Sequence, residues 1–462
     1  MNRTKAGYLL FIIFSTVIVS CTISKPYVAP QVDNANLYRD VNSTDSAGLA
    51  DLPYTDVFSD TVLQNLIGEG IKSNFDLLTA FERINQANAY YQQSAAALAP
   101  SLSANAGVTV AKLSDIQGGG EKNTATQYSI GLSSSWEIDI WGKLNSVKRA
   151  NLANLLQTRA GARAVQTELV AAIAGYYYSL LALDEQLFIT RQTVKTWDTT
   201  VQTMRALKEA ARVTEAAVVQ SQAQRYAAEV TIPDLKRAIR ETENSLSILL
   251  GRNPGPVKRT AMPLQDPDID LSTGIPASLL SNRPDVQEAE LNFRYYFEMT
   301  NAAKAYFYPS LTLNGSASLT ALNPGDLFNP GSLAASIAGG LFQPIFNQKA
   351  NKTRLAVSES QQRAAILNFR NTILNAGKEV SDALYLNEVA NEKIAIRSNQ
   401  MDALQKSVLY TQELLRNGFA TYTEVINARQ LLLQAQLGGV NDHLQQLQSV
   451  VQLYRALGGG WR

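Results

Sequence analysis

A single cysteine and a single histidine occur among 462 residues. One cysteine cannot form a disulfide within the chain or a thiolate cluster. His443, with Asp442 beside it, leaves no second imidazole for a histidine metal site and does not by itself make a Ser-His-Asp triad. It is read as a surface or interface residue, and no catalytic residue, cofactor or metal is expected. Charge of one sign is lacking as well: 41 Lys and Arg face 40 Asp and Glu, which offers no basic field to nucleic acid and no acidic tail to cations. No apolar run reaches the roughly 20 residues a membrane-spanning helix needs. Gly-Gly-Gly runs at 118–120 and 458–460 lack the following Lys-Ser or Lys-Thr of a phosphate loop, and the first is expected at a hairpin tip. Proline is absent between Pro100 and Pro233 and again after Pro344, so nothing in those stretches need break a helix.

What the sequence does contain begins with an export signal over residues 1–20. Arg3 and Lys5 form a charged start, Tyr8 to Val19 an apolar run too short to cross a bilayer, and Ser20 a small residue before Cys21. Ile18-Val19-Ser20-Cys21 resembles the lipobox of bacterial lipoproteins. That implies that Cys21 becomes the acylated, palmitate-bearing first residue and that residues 21–56 are a lipidated extension. The alternative is an ordinary signal peptide followed by a chance cysteine. Cleavage would remove Arg3 and Lys5 and take the formal charge from +1 to −1.

The remainder is duplicated. Asp76 to Leu102 ends in Ala-Pro-Ser-Leu and Asp285 to Leu311 in Tyr-Pro-Ser-Leu, with equal spacing; Ile140-Trp-Gly-Lys corresponds to Ile345-Phe-Asn-Gln, and Leu250-Gly251 to Leu457-Gly458. The domains read as a first repeat at 57–256, a Pro-rich linker at 257–274 and a second repeat at 275–462. Each repeat runs helix, strand pair, very long helix, turn, helix. From Leu169 through Ile173, Tyr176, Leu180, Leu183, Leu187, Thr190, Val194, Trp197 and Val201 to Met204, steps of four and three alternate as a heptad seam. Ile373 to Leu415 repeats the seam with Asn387 and Arg397 intruding, as on a partly wetted face. Residues 141–211 as one helix would extend about 105 Å, so they must pack along other helices. Tyr176, Tyr177 and Tyr178 belong to this packing rather than to base stacking.

Strands are expected at 101–112, 126–140, 310–321 and 332–345. Leu102, Ala104, Ala106, Val108 and Val110 alternate with Ser103, Asn105, Gly107 and Thr109, a period of two that recurs in the others. About ten residues, apolar outward and polar inward, suit a transmembrane barrel, although a small soluble sheet with one buried face shares the pattern. On the polar face, Glu137 and Asp139 are placed in the barrel lumen. Trp136, Trp141, Phe307, Tyr308, Phe342 and Phe346 flank the strands as an interfacial girdle. Four strands cannot close, and open edges in lipid leave backbone groups unsatisfied. Two chains would give eight strands and a filled interior; three would give twelve and a channel.

Five segments in order carry a family resemblance: Trp136-Glu-Ile-Asp-Ile-Trp-Gly-Lys, Ile232-Pro-Asp-Leu with Glu243 to Arg252, Arg283-Pro-Asp-Val-Gln-Glu-Ala-Glu, Phe342-Gln-Pro-Ile-Phe, and Leu453-Tyr-Arg-Ala-Leu-Gly-Gly-Gly-Trp. The chain resembles the TolC-like outer membrane factor family, in its lipoprotein branch serving resistance-nodulation-division (RND) pumps. The resemblance implies a mixed α and β membrane protein: a homotrimer sharing a twelve-stranded barrel in outer-membrane lipid, continued by a periplasmic α-helical coiled-coil barrel. It also implies a periplasmic adaptor (membrane fusion protein) and an inner-membrane RND transporter as partners, and passive conduction rather than catalysis. The adaptor-docking tips fall on Arg212, Val213 and Thr214 and on Gly418, Phe419 and Thr421, and the periplasmic aperture on Asn427, Arg429 and Gln430. Asn427 stands where the family carries an acid. The readings left beside this one are a structural coiled-coil envelope lipoprotein and the exit duct of a type I protein secretion system.

Overall fold

The computed structural model describes residues 23–31, 37, 39, 49, 52–112, 124–262 and 283–461. The export signal, Cys21, the Gly-Gly-Gly run at 118–120 and most of the linker lie outside them. After a short turn at Tyr54–Val57 come α1 (Thr61–Ser73), α2 (Phe75–Ala96), β1 (Ser101–Lys112), β2 (Thr124–Ile138), α3 (Lys143–Glu209), α4 (Glu215–Glu229) and α5 (Thr231–Leu249). The second half holds α6 (Pro284–Ala305), β3 (Ser310–Ala321), β4 (Leu333–Phe342), α7 (Ala350–Arg416) and α8 (Tyr422–Ala456). The duplication is visible in the lengths: α2 and α6 have 22 residues each, α3 and α7 have 67. Where the first half breaks its return helix at Val230, the second runs unbroken for 35 residues. Pro233 falls in the first turn of α5, where its missing N–H costs nothing.

Two compact units form. The first comprises Met1–Gln31, Arg83–Thr158 and Glu288–Phe369. Its sheet is an antiparallel meander in the order β1-β2-β3-β4. Register sorts the faces row by row: Ala104, Leu132, Ala317 and Ala335 lie abreast, and the next row over is Ser103, Ser133, Ser316 and Ser336. Hydroxyl pairs Ser103–Ser133 and Ser316–Ser336, each at 2.9 Å, tie the polar rows. β1 and β3 match the expected ranges, each opening one residue after a proline. β2 ends at Ile138 and β4 at Phe342, earlier than the expected 140 and 345. Beyond β4, Pro344 has no N–H to continue a ladder. Beyond β2, Asp139 is used otherwise, as described below.

The second unit comprises Val32–Glu82, Arg159–Gln287 and Arg370–Arg462, and it holds the apolar core. Leu63, Ile67, Leu77, Ile173, Leu180, Leu181, Leu246, Leu250 and Tyr454 are fully buried there; each aliphatic side chain contributes about 1.5–3 kcal/mol by leaving water. Tyr177 is the polar pin of this core. Its hydroxyl donates to Asp60 Oδ2 at 2.6 Å, the same oxygen that takes the Thr260 hydroxyl at 2.6 Å. The other Asp60 oxygen caps α1 through Val62 N–H at 2.8 Å. Burial, and then the bond to Asp60, push the Tyr177 pKa up to about 12. The seam departs from expectation here: Tyr177 and Tyr178 are buried, whereas Tyr176 is exposed. At this level α3 is enclosed on a broad face, and only from Leu187 onward does the burial narrow to Thr190, Trp197, Thr200, Val201 and Met204.

Arg283 secures the start of α6. It donates to the Ala456 carbonyl at 2.7 Å and makes ion pairs with Asp285 at 2.6 Å and Glu379 at 2.9 Å. Gly458, at φ +85°, sits against it, so that a Cβ would come within 3.0 Å of Arg283 Cα.

Candidate functional site

The sheet buries neither face. Leu102, Val108, Val110, Leu333, Ile337 and Leu341 are all exposed, Ile337 by 83%. Among the described residues no helix packs on this sheet as a layer, and β1 and β4 each have one unpaired edge. A soluble sheet with one buried face is therefore not what forms; this one presents an apolar surface and two open edges that require covering. No helix among the described residues is long and apolar enough to cross a membrane.

At the lower end of the sheet, aromatic side chains tie strands to helices. The Trp136 indole donates to the Leu98 carbonyl at 2.9 Å and the Trp141 indole to the Pro309 carbonyl at 2.7 Å, with the Trp141 and Tyr308 rings 5.1 Å apart. Phe307 and Tyr308 are partly exposed, and Phe342 and Phe346 stand well out. Tyr306 receives Arg354 at 3.8 Å and Lys143 at 4.9 Å over its ring.

Glu137 and Asp139 do not form a matched pair of strand acids. Glu137 is the penultimate residue of β2 and is ion-paired with Lys143 at the start of α3. Asp139 lies beyond the strand, and its carboxylate caps α3, accepting from Leu144 N–H at 3.0 Å and Asn145 N–H at 2.8 Å. The expectation of Asp139 on the polar strand face is corrected accordingly: free N–H groups of a helix start outcompete solvent for an adjacent carboxylate.

The opposite ends of the long helices meet in two turns. Val213 packs inward with Leu207, Leu415 and Tyr422 around Met204, Ala217 and Val218. Arg212, Thr214, Gly418 and Thr421 are exposed, and Phe419 stands 82% exposed. Gly418 has the positive φ expected of it, +80°, and the first tip places Ala211 in the same region at +55°. Glu424 accepts from Thr421 N–H at 2.9 Å at the start of α8.

One turn further on, Asn427 and Gln430 face solvent while Arg429 turns inward. Its guanidinium lies 6.0 Å over the Trp197 ring. With the Gln412 amide turned oxygen-first, Arg429 donates to it from Nη2 at 2.5 Å and Nε at 3.2 Å. Among the described residues Nη1 is buried without a hydrogen-bond partner. Burial lowers the Arg429 pKa. The structure thus joins Arg429 to Trp197 and Gln412, not to Asn427 or Gln430. Trp197 was visible as a seam position; Gln412 carried no sequence signal.

Sequence reasoning also did not find the ion-pair ladder between α7 and α8. Asp442, 2% exposed, holds Lys393 and Arg397, each at 2.8 Å. Burial would raise the carboxyl pKa, but hydrogen bonds from Lys393 and Arg397 outweigh it and hold it below the usual value. Arg397 appeared in sequence as a polar intruder in the seam; its partner was not apparent.

Comparison with known proteins places these features in company. The family model described as outer membrane efflux protein matches residues 66–252 and 275–459. The antibiotic efflux pump outer membrane protein ArpC of Pseudomonas putida is 30% identical over 457 residues, covering 96% of this chain and 94% of its own. The probable outer membrane lipoprotein SilC of Salmonella typhimurium is 28% identical over 414 residues, covering 89% and 88%. The crystal structure of the open state of the Neisseria gonorrhoeae MtrE outer membrane channel superposes with a TM-score of 0.86 at 25% identity, over 96% of this chain and 99% of that one.

Proposed function

Because the chain belongs to the outer membrane efflux protein family, we propose that it is the trimeric, lipid-anchored exit duct of a tripartite pump, conducting solutes passively across the outer membrane. One observation carries this reading: the four-stranded sheet, with an apolar face bare and both edges unpaired among the described residues. Three copies would close it into twelve strands with lipid outside and the serine rows within, leaving a channel. An inner-membrane RND transporter supplies the energy, and a periplasmic adaptor bears on the tips at Arg212, Thr214, Gly418, Phe419 and Thr421. A structural tether would have no use for such a sheet. A type I secretion duct would, but the names of relatives such as ArpC favour a pump.

The aperture reading at Asn427, Arg429 and Gln430 rests on the family resemblance, with Asn427 and Gln430 exposed and Arg429 held inward at Trp197 and Gln412. The anchor reading rests on the lipobox, on the name of SilC, and on a chain ruler. A Cβ on Gly142, at the foot of β2, would meet Ser24 Oγ at 3.4 Å, and Cys21 precedes Ser24 by three residues, about 10 Å of chain at most. The experiment is electrophoresis of the membrane fraction with and without boiling. A heat-labile trimer band that conducts in planar bilayers is expected; a monomer-only, non-conducting protein would sink the duct reading.

A further inference from the structure

The short described segment before the first helix is held by a built receptor. Lys25 donates its N–H to Asn301 Oδ1 at 3.3 Å and accepts from Asn301 Nδ2 through its carbonyl at 2.9 Å, so one amide reads both backbone groups of one residue. Pro26 follows and keeps Lys25 extended, the conformation in which both groups can be presented together. Two residues on, Tyr27 enters an aromatic socket on α6. Its ring meets Phe297 edge-on at 5.5 Å and Phe293 at 6.0 Å, Arg294 lies 5.2 Å over it, and its hydroxyl donates to Glu290 at 3.3 Å.

The receptor is wired to the foot of the barrel sheet. Asn301 and Glu298 are 3% and 2% exposed. Asn301 Nδ2 also reaches Glu298 Oε2 at 3.4 Å, and Arg149 grips Glu298 with Nε and Nη2, both at 2.9 Å. Arg149 in turn donates to Ser146 Oγ at 3.0 Å, and Ser146 N–H bonds the Gly142 carbonyl at 2.9 Å. With the strap absent, the buried Asn301 amide would lose the acceptor and donor that Lys25 supplies, beside a buried carboxylate. An empty receptor would thus loosen the turn between β2 and α3.

We propose that α6 carries a receptor site for the chain's own N-terminal strap, Ser24 to Tyr27, and that seating the strap both fixes where the lipid on Cys21 enters the membrane and sets the rate of trimer assembly. The lipid half rests on the lipoprotein reading above. Asn301 and Tyr27 are positioning residues: they act by holding the strap against α6.

The test follows full-length protein in membranes by three readouts: palmitate-analogue labelling, heat-labile trimer formation after a pulse label, and hydrogen exchange of the peptide spanning residues 23–31. Tyr27→Ala and Asn301→Leu should label normally, convert to trimer several-fold more slowly, and exchange the Lys25 amide at least tenfold faster. Tyr27→Phe keeps the ring contacts and should behave as wild type, which separates seating from general damage should Asn301→Leu fail to fold. Trimers that form at the wild-type rate in both variants but melt earlier would reduce the strap to ordinary packing and overturn the proposal. Wild-type protein without label would remove the lipid half together with the lipoprotein reading, and exchange at Lys25 would then decide the seating half alone.

Discussion

The two repeats build helices of identical length and join them differently. In the first, α3 is held by an apolar seam, buried at Leu187, Trp197, Val201 and Met204, and its ion pairs, Asp198 to Arg225 and Asp184 to Arg259, use half-exposed carboxylates. In the second, the seam of α7 is buried at Ile373, Ala376, Val380, Ala383 and Ala390, and from Asn387 onward polar links join it: Asn387 to Ser449 at 2.9 Å, Lys393 to Gln445 at 2.8 Å, and the Asp442 ion pairs. Duplication preserved length, which needs only helix-forming residues and no proline. It did not preserve where the polar links are buried. An apolar seam loses packing in proportion to what is removed, whereas a buried ion-pair cluster that loses one member leaves an uncompensated charge. What sets the α7–α8 pair apart is that its ion pairs meet on a buried carboxylate, Asp442, whose pKa they hold below the usual value.

The sharpest test of this comparison is at the equivalent glycines. A Cβ on Gly251 would stand 2.2 Å from the Ser73 carbonyl oxygen at φ +66°, whereas one on Gly458 would stand 3.0 Å from Arg283 Cα at φ +85°. Gly251→Ala should cost more than 3 kcal/mol and abolish trimers, and Gly458→Ala about 2 kcal/mol with trimers retained, judged by thermal melting of purified protein. Equal effects would mean that the two repeats close their return helices under equal constraint. Next comes Asp442→Asn, which strands two cations against a buried site and should cost about 3 kcal/mol. Because the folded-state pKa lies below the unfolded value, the wild-type contribution is present above about pH 4 and is lost as pH falls through the folded pKa. Melting curves should therefore converge for wild type and variant under acid conditions. Trp197→Leu in the apolar seam should show no such convergence.

Smaller effects are expected at the tips. Ala211→Gly removes a left-handed non-glycine and should stabilise by roughly 0.5 kcal/mol, and Gly418→Val should destabilise by about 1–2 kcal/mol and impair efflux with trimers intact. Drug susceptibility and trimer abundance measured together decide this, and unchanged resistance in Gly418→Val would count against the tip assignment. Smallest is the effect of Glu137→Gln on conduction. The ion pair with Lys143 already offsets that charge, so neutralising Glu137 should shift reversal potential modestly towards anions. Asp139→Asn should leave selectivity unchanged and weaken only the cap of α3, by about 1 kcal/mol.

The sequence by itself determined the order of elements, the duplication, the starts of β1 and β3, a very long helix in each repeat, and the positive φ of Gly418. Each follows from chain-local physics: prolines that admit or forbid a helix, side chains alternating by two or by three and a half, a glycine where no Cβ fits. Only the tertiary structure decided the ends of β2 and β4, which face of the tyrosine run is buried, that Asp139 caps a helix, and that Arg429 turns toward Trp197 and Gln412. It alone revealed Asp442 between Lys393 and Arg397, and Lys25 on Asn301, 276 residues away. Those contacts depend on a polar atom finding a partner far along the chain, and a single side chain carries no periodicity by which such a partner can be read.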